Sequence, residues 1–317
     1  MRVLITGITG LLGSHLAAQL VADAGVEVFG LKRWRTPITS VREISESVRI
    51  LEGDVTDPSS VIRTIEEAQP DRIFHYAAQS YSQESLAAPH LTFETNVLGT
   101  LNVLEASRRL RPGAQVLVAG SSASYGLIDA EKVPVSEEYR LRPTTPYGVS
   151  KAAQEMLALQ YFDSYGLPVY VARFFLQVGP RQGERTSIQT FARQIAEIER
   201  SEREPIVYAG NLWPVRDFTD ARDAARAAWL VLERGHPGEV YNVCRGIGIR
   251  MGDILEQLRN LTHIPFTVHE QGSRVRAVDE PVIVGDPSKL RAATGWRPEI
   301  AFEQTLHDVL DYWREVH

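Results

Sequence analysis

The first thirteen residues place a tight turn between a strand and a helix. Val3, Leu4, Ile5 and Thr6 form a short, β-prone run, and Leu12, Leu16, Leu20 and Val21 then recur at helical spacing. Between them stand Gly7, Gly10 and Gly13. Glycines at these offsets permit a tight turn, let backbone approach a bound group, and let the helix lie close to the sheet. The first turn of such a helix offers unpaired N–H groups and a positive dipole end, which suit a diphosphate. The turn therefore predicts a dinucleotide moored at Gly7, Thr9, Gly10, Leu11, Leu12 and Gly13.

The strand-then-helix rhythm continues. Segments 26–31, 49–52, 72–75, 115–119 and 169–173 read as strands separated by helix-sized stretches. That alternation implies crossover connections and a parallel sheet. Val116, Leu117, Val118 and Ala119 are apolar without alternation, as a parallel strand buried on both faces should be. The expected class is α/β, a doubly wound parallel sheet.

After about Phe175 the rhythm loosens. Residues 178–214 are rich in charge, glycine and proline around one amphipathic helix with Ile188, Phe191, Ile195 and Ile198 on its stripe. Helices are expected over 221–233, 251–261 and 305–313, and a strand over 240–243. The expected division is a dinucleotide-binding domain of residues 1–177 that also receives about 215–244, with 178–214 and 245–317 forming a smaller C-terminal α/β unit.

Composition limits the partners. A net charge of −6 argues against nucleic acid as the main ligand. The lone Cys244 excludes an intramolecular disulfide and a cysteine-based zinc site. The eight histidines are scattered and none pairs with another at ligand spacing, so no metal is expected. His75 ends an apolar strand and reads as a packed core residue; Trp213 and Trp229 also read as packing residues, with a place lining the substrate cleft as the alternative for Trp213. No run of about 18 apolar residues offers a membrane span. The opening residues lack the apolar core of a signal peptide, so the expectation is a cytoplasmic protein.

The second strand bears on the cofactor. An NAD-preferring site places a carboxylate near its end to accept from the ribose 2′-hydroxyl. This chain has Lys32, Arg33 and Arg35 there instead, which suit a 2′-phosphate. NADP(H) is the expected cofactor, with NAD(H) as the alternative. Asp54, after the third strand and beside Val55, is placed to reach the adenine.

Tyr147-Gly148-Val149-Ser150-Lys151 puts a phenol and an ammonium one helical turn apart on a shared face. A nearby cation lowers a phenol's pKa, so Tyr147 is expected to act as general acid or base. Ser121 lies just past the 115–119 strand, at the carboxyl end where open α/β sheets build their sites, and its hydroxyl can bond a substrate carbonyl.

With these residues in view, the chain resembles the extended short-chain dehydrogenase/reductase family. The resemblance is carried by Gly7-x-x-Gly10-x-x-Gly13, Asp54, His75-Tyr76-Ala77-Ala78, Asn96, Gly120-Ser121-Ser122 and Tyr147-x-x-x-Lys151. It continues through Gly179-Pro180, Arg216-Asp217-Phe218 and Gly295-Trp296-x-Pro298, so it spans essentially the whole chain. It implies a Rossmann-type domain, further cofactor contacts at Ala77, Ala78 and Gln79, and a nucleotide-sugar substrate in the C-terminal cleft. It also implies a homodimer through a four-helix interface built from segments 91–109 and 147–165. Substrate contacts are expected at Ser80, Ser122, Ala123, Leu176, Arg181, Arg216 and Arg276.

Within the family, the segments 134–138, 142–151, 210–220 and 241–244 look most like the branch that reduces GDP-linked 4-keto-6-deoxymannose to GDP-rhamnose. GDP-mannose 4,6-dehydratases and other epimerases or dehydratases are the alternative reading; a non-enzymatic NADP(H)-binding scaffold is an alternative of another class. In 4,6-dehydratases the residue two after the catalytic Ser or Thr is a glutamate that removes water from the sugar. Here it is Ala123, which cannot move a proton. The chain also departs from the family at Leu176, where asparagine is usual, and at Arg276-Ala277-Val278-Asp279, where Arg-Pro-x-Glu is usual.

Overall fold

The structure, a computed structural model, describes residues 1–272 and 280–316. Arg276 lies outside these residues. The first half alternates strand and helix: β1 (Arg2–Thr6), α1 (Leu11–Leu20), β2 (Glu27–Lys32), β3 (Val48–Glu52), α2 (Pro58–Ala68) and β4 (Arg72–His75). Two short helices, α3 (Ser82–Ala87) and α4 (Pro89–Phe93), lead through a π-helical turn at Glu94–Leu98 into α5 (Gly99–Leu110). Then come β5 (Gln115–Ser121), α6 (Pro146–Tyr165) and β6 (Val169–Phe174).

These strands, with β10 (Val240–Val243), form a seven-stranded parallel sheet in the order β10-β6-β5-β4-β1-β2-β3. From β1 the chain winds outward through β2 and β3, then returns to start again at β4 on the other side. The topological switch point, where such sheets bind ligands, therefore lies between the carboxyl ends of β1 and β4.

Both faces of the sheet are covered. On one, Leu16, Ala17 and Leu20 of α1 pack with Ala224, Ala228 and Val231 of α8 (Ala221–Arg234) over Val3, Ile5 and Phe74. On the other, α2, α5 and α6 bring Val61, Ile65, Leu104 and Tyr161 onto Leu4, Ile73 and Val116. The sequence read these strands because burial on both faces leaves no polar alternation.

The C-terminal unit has its own core of α7 (Ser187–Glu199), α9 (Met251–Asn260) and α11 (Phe302–Glu315). Ile188, Phe191, Ile195 and Ile198 are all buried there. Its sheets are small: β7 (Leu176–Val178), β9 (Val215–Asp220), β11 (Gly248–Arg250) and β13 (Val282–Ile283) form one, and β8 (Ile206–Ala209) with β12 (Thr267–Glu270) another. Residues 215–244 divide between the layers. Strand β9 joins the smaller sheet, whereas α8 and β10 join the large layer, and α10 (Ser288–Thr294) packs on α8.

One buried ion pair fastens α6 to the sheet. The Arg173 guanidinium on β6 donates from Nε and Nη2 to the two Glu155 oxygens at 2.7 and 2.5 Å. It also donates to the Tyr125 hydroxyl at 2.8 Å and the Glu137 carbonyl at 2.9 Å. Both charged side chains are about 95% buried, at 5% and 4% exposure. Removing one partner strands the other charge in the interior. Glu155→Ala should therefore cost about 3–5 kcal/mol in chemical denaturation; a loss below about 1 kcal/mol would show that Arg173 finds another carboxylate.

Candidate functional site

The glycine turn forms a cradle at the switch point. Gly7 has φ 69°, and a Cβ there would lie 2.8 Å from the Ala77 nitrogen. A Cβ on Gly13 would lie 2.5 Å from the Gly7 carbonyl oxygen, so α1 can sit this close only with glycine. Gly10 caps α1 without a side-chain bond, which leaves the first-turn N–H groups of Leu11 and Leu12 directed out of the helix end. The Thr9 carbonyl is occupied by the Ser40 hydroxyl at 2.9 Å. These features fit a dinucleotide diphosphate. Ala77 and Ala78 follow β4 on the opposite bank, with the Ala77 N–H given to Thr6 Oγ1 at 3.2 Å.

Beyond the cradle opens a cleft of about 730 Å³ lined by Arg33, Trp34, Arg35, Gly53, Asp54, Ser60 and Arg63, among others. Arg33 and Arg35 are thus brought together as the sequence implies. Lys32 is not: its ammonium pairs with Glu52 at 2.6 Å across the sheet, and its side chain is only 9% exposed. Arg63, on α2, supplies a third cation that the linear reading missed. Its signal was available, because a helix that starts at Pro58 directly after Asp54 must send one face back over that carboxylate. The Arg35 guanidinium lies 4.4 Å from the Trp34 ring, which is 68% exposed. Asp54 Oδ1 accepts from the Thr56 N–H and hydroxyl at 3.0 and 2.9 Å. Val55 is buried and packs toward Gly99 instead of facing the cleft.

Ser121, Tyr147 and Lys151 converge at the carboxyl end of β5. Tyr147 is the second residue of α6, whose N-cap Thr145 accepts from the Gly148 N–H at 3.1 Å. The Tyr147 phenol is hydrogen-bonded to Ser121, and Ser121 Oγ accepts from the Ala123 N–H at 3.1 Å. Lys151 Nζ donates to the Ala119 carbonyl at 2.8 Å and lies 5.9 Å from the Tyr147 ring centre.

The expected lowering of the phenol pKa by lysine is not what the protein's own groups produce. Burial raises Tyr147, with the Ser121 bond pulling weakly the other way. Burial also brings Lys151 down to about 7, so at neutral pH it carries only part of its charge.

A buried polar network stands behind this cluster, and of its side-chain atoms Gln154 Oε1 has no partner among the described residues. Thr100 Oγ1 donates to the Asn96 carbonyl at 2.6 Å and accepts from Gln154 Nε2 at 2.5 Å. Its one proton being spent, it must accept from His75 Nε2 at 2.9 Å, while Thr6 donates to His75 Nδ1 at 2.8 Å. His75 is therefore a neutral core residue, pushed down to about 3 by burial. Asn96, inside the π-helical turn, holds Ser150 Oγ at 2.9 Å and both backbone groups of Gln79 at 2.7 and 3.0 Å. Gln79 in turn brackets the Tyr81 backbone.

The substrate-side residues are more dispersed. Ser80 is exposed and Ser122 buried, with Ala123 half-buried between Ser121 and α6. Leu176 is 42% exposed at the start of β7. Arg216 is buried on β9 and donates to the Val215 carbonyl at 2.9 Å. Arg181 is committed to Glu43 at 2.9 Å, beside α1. Trp213 is 72% exposed and not a packing residue; Trp229 does pack, stacked 6.1 Å from Phe74. Among the described residues there is no cluster of metal-ligating side chains and no helix long and apolar enough to cross a membrane.

Comparison with known proteins agrees with this layout. The family model described as GDP-mannose 4,6 dehydratase matches residues 4–309. A GDP-6-deoxy-D-mannose reductase of Pseudomonas aeruginosa is 31% identical over 98% of this chain and 97% of its own. The solved structure of RMD from Pseudomonas aeruginosa complexed with NADPH superposes with a TM-score of 0.86, covering 99% of both chains at 31% identity. A UDP-glucose 4-epimerase of Thermus thermophilus, solved with NAD, gives 0.88 over the full length of both chains at 32% identity. The sheet, the glycine cradle and the serine–tyrosine–lysine cluster all lie within the matched span, and the chain belongs to the GDP-mannose 4,6-dehydratase family of Rossmann-fold nucleotide-sugar enzymes.

Proposed function

We propose that this protein is an NADP(H)-dependent reductase of the C4 ketone of a nucleotide-linked 4-keto-6-deoxy sugar, GDP-4-keto-6-deoxy-D-mannose being the substrate and GDP-D-rhamnose the product. The observation that carries this reading is a hydroxyl–phenol–lysine cluster with an alanine, Ala123, where a dehydratase needs a carboxylate. The similarity to the Pseudomonas aeruginosa reductase supports the same choice.

The glycine cradle, Arg33, Arg35 and Arg63 would hold the dinucleotide, which when bound supplies the hydride. The chain's own part is proton delivery and orientation. Ser121 positions the ketone oxygen. Tyr147, kept protonated by burial, gives its proton to that oxygen as the C–O bond becomes an alkoxide. Lys151 fixes the near end of α6 through the Ala119 carbonyl. Arg216 would bind the substrate diphosphate, as a guanidinium fork suits phosphate.

In an NADPH-oxidation assay with GDP-4-keto-6-deoxymannose, Tyr147→Phe should lower kcat by about 10²–10⁴-fold with NADPH affinity nearly unchanged. The unmodified protein given GDP-mannose and NADP⁺ should yield no 4-keto product. Retained turnover in Tyr147→Phe, or a 4-keto product from GDP-mannose, would refute the assignment.

Lys151 gives a pH signature. Its folded pKa is about 7 against an ordinary value of 10.5, so between these values the unfolded chain binds the extra proton. Stability of the protein alone should therefore rise with pH from about 7 to 10, by about 1.4 kcal/mol per unit from this group. Lys151→Met should lose that slope; an unchanged profile would mean the lysine is solvated in the fold.

We also infer a homodimer through α4, α5 and α6. Leu91, Met156 and Tyr165 on these helices and Leu98 in the π-helical turn between α4 and α5 are 50%, 63%, 54% and 51% exposed, an apolar display that a second copy would cover. Light scattering should give about twice 35.4 kDa, and Met156→Arg should shift it toward the monomer. A monomeric unmodified protein would end this inference.

A further inference from the structure

In the open cleft beyond the glycine turn the carboxylates are engaged and the guanidiniums are not. Glu52 receives the Lys32 ammonium at 2.6 Å. Asp54 receives the Thr56 N–H and hydroxyl. Asp57 caps α2, accepting from the Ser59 and Ser60 N–H groups at 3.0 and 3.2 Å. Arg33, Arg35 and Arg63 line the same cleft and are all exposed to it. None of the three makes an ion pair or a hydrogen bond through its guanidinium among the described residues.

Arg63 is the informative one, because its own helix offers it partners. Glu66 and Glu67 stand three and four residues on, at spacings where helices form ion pairs. Glu67 pairs with Arg49 of β3 at 3.4 Å instead, and neither carboxylate pairs with Arg63 among the described residues. Arg63 turns to the cleft, as does Ser60 one turn earlier on the same helix face. Arg33 and Arg35 arrive from a second element, the turn after β2, in which the Arg33 carbonyl accepts the Thr36 N–H at 3.0 Å. Arg35 stands at φ 63°, a left-handed conformation that costs a non-glycine residue strain, and its guanidinium rests 4.4 Å from the Trp34 ring.

Three unpaired forks converging from two elements suit a compact anion with several acceptor oxygens, which a phosphomonoester provides. The glycine cradle accounts for the diphosphate bridge, so the phosphate left for this cleft is the one on the ribose 2′ position. A 2′-hydroxyl would give Arg63 no charge to meet.

We propose that Arg63 is a specificity-determining residue that selects NADP(H) over NAD(H), donating to the 2′-phosphate from α2 while Arg33 and Arg35 hold it from the end of β2. This rests on the reading of the site as a dinucleotide-dependent enzyme. It places part of the selectivity on a helix outside the β2 turn that ordinarily decides it.

The test is equilibrium binding of NADPH and NADH to the full chain, followed by nicotinamide fluorescence. Arg63→Ala, a change on an exposed helix face, should weaken NADPH by about tenfold or more, the size of a bond between charged groups, and leave NADH level. The NADPH dissociation constant of the unmodified protein should also rise more steeply with sodium chloride than that of the variant. Equal NADPH affinity in the two proteins, or equal salt dependence, would overturn the proposal. So would equal weakening of both nucleotides, which would put Arg63 against the adenine that they share, or an unmodified protein that binds both alike. If the unmodified protein bound neither nucleotide, the functional reading itself would fail, a separate result.

Discussion

The close approach of two backbones at the switch point governs the rest of the molecule. Gly7 can lie against Ala77, and Gly13 against Gly7, only because neither glycine carries a side chain that would intervene. That contact brings the end of β1 against the end of β4 and sets the start of α1 over both. A Cβ at Gly7 or Gly13 would force these segments apart, since the atoms it meets are backbone and cannot rotate away. The diphosphate cradle is therefore a consequence of packing geometry before it is a binding site.

The same contact explains why so much polarity is buried beside it. Thr6, His75, Thr100, Gln154, Asn96 and Ser150 run from β1 through α5 to α6. In the interior such groups are tolerable only when paired, and once paired they admit few alternative arrangements. The π-helical turn at Glu94–Leu98 lets Asn96 face both Ser150 and the Gln79 backbone at once. The phenol on α6 is thereby referred to the glycine turn by hydrogen bonds, while Arg173 and Glu155 fasten the same helix to the sheet.

What the sequence made legible follows from where each signal originates. Strands buried on two faces are apolar throughout, and the glycine turn needs glycine, so both could be read from residue type alone. Tyr147 and Lys151 were legible because helical spacing fixes their relation. The smaller sheet was not, because β7, β11 and β13 are only two or three residues long. Strand β9 carries Arg216, Asp217, Thr219 and Asp220, all buried, where a strand core would be expected to be apolar. Asp217 can lie there because the Arg245, Gly246 and Gly285 N–H groups reach its carboxylate from other loops. Lys32 misled for a related reason. A run of three cations in sequence need not be a cluster in space, and the pleat turns Lys32 toward Glu52 while Arg33 and Arg35 meet Arg63 of a different element.

Burial sets the resting protonation of the phenol and the lysine. An enzyme that begins by oxidising a C4 hydroxyl needs its tyrosine as a base, and so needs a strong positive field to draw the phenol toward neutrality. In this chain the lysine that would supply the field is itself brought down to about 7 by its apolar surroundings, and the phenol moves up. A raised phenol is a poor base at neutral pH but remains a protonated donor, well matched to an alkoxide that is more basic still. Epimerases and dehydratases must take a proton before they can proceed, and this dehydratase-type site also lacks the carboxylate that elimination requires. The buried phenol is a protonated donor at neutral pH, and the alanine at 123 removes the group that elimination requires; it is the second feature that separates ketone reduction from dehydration.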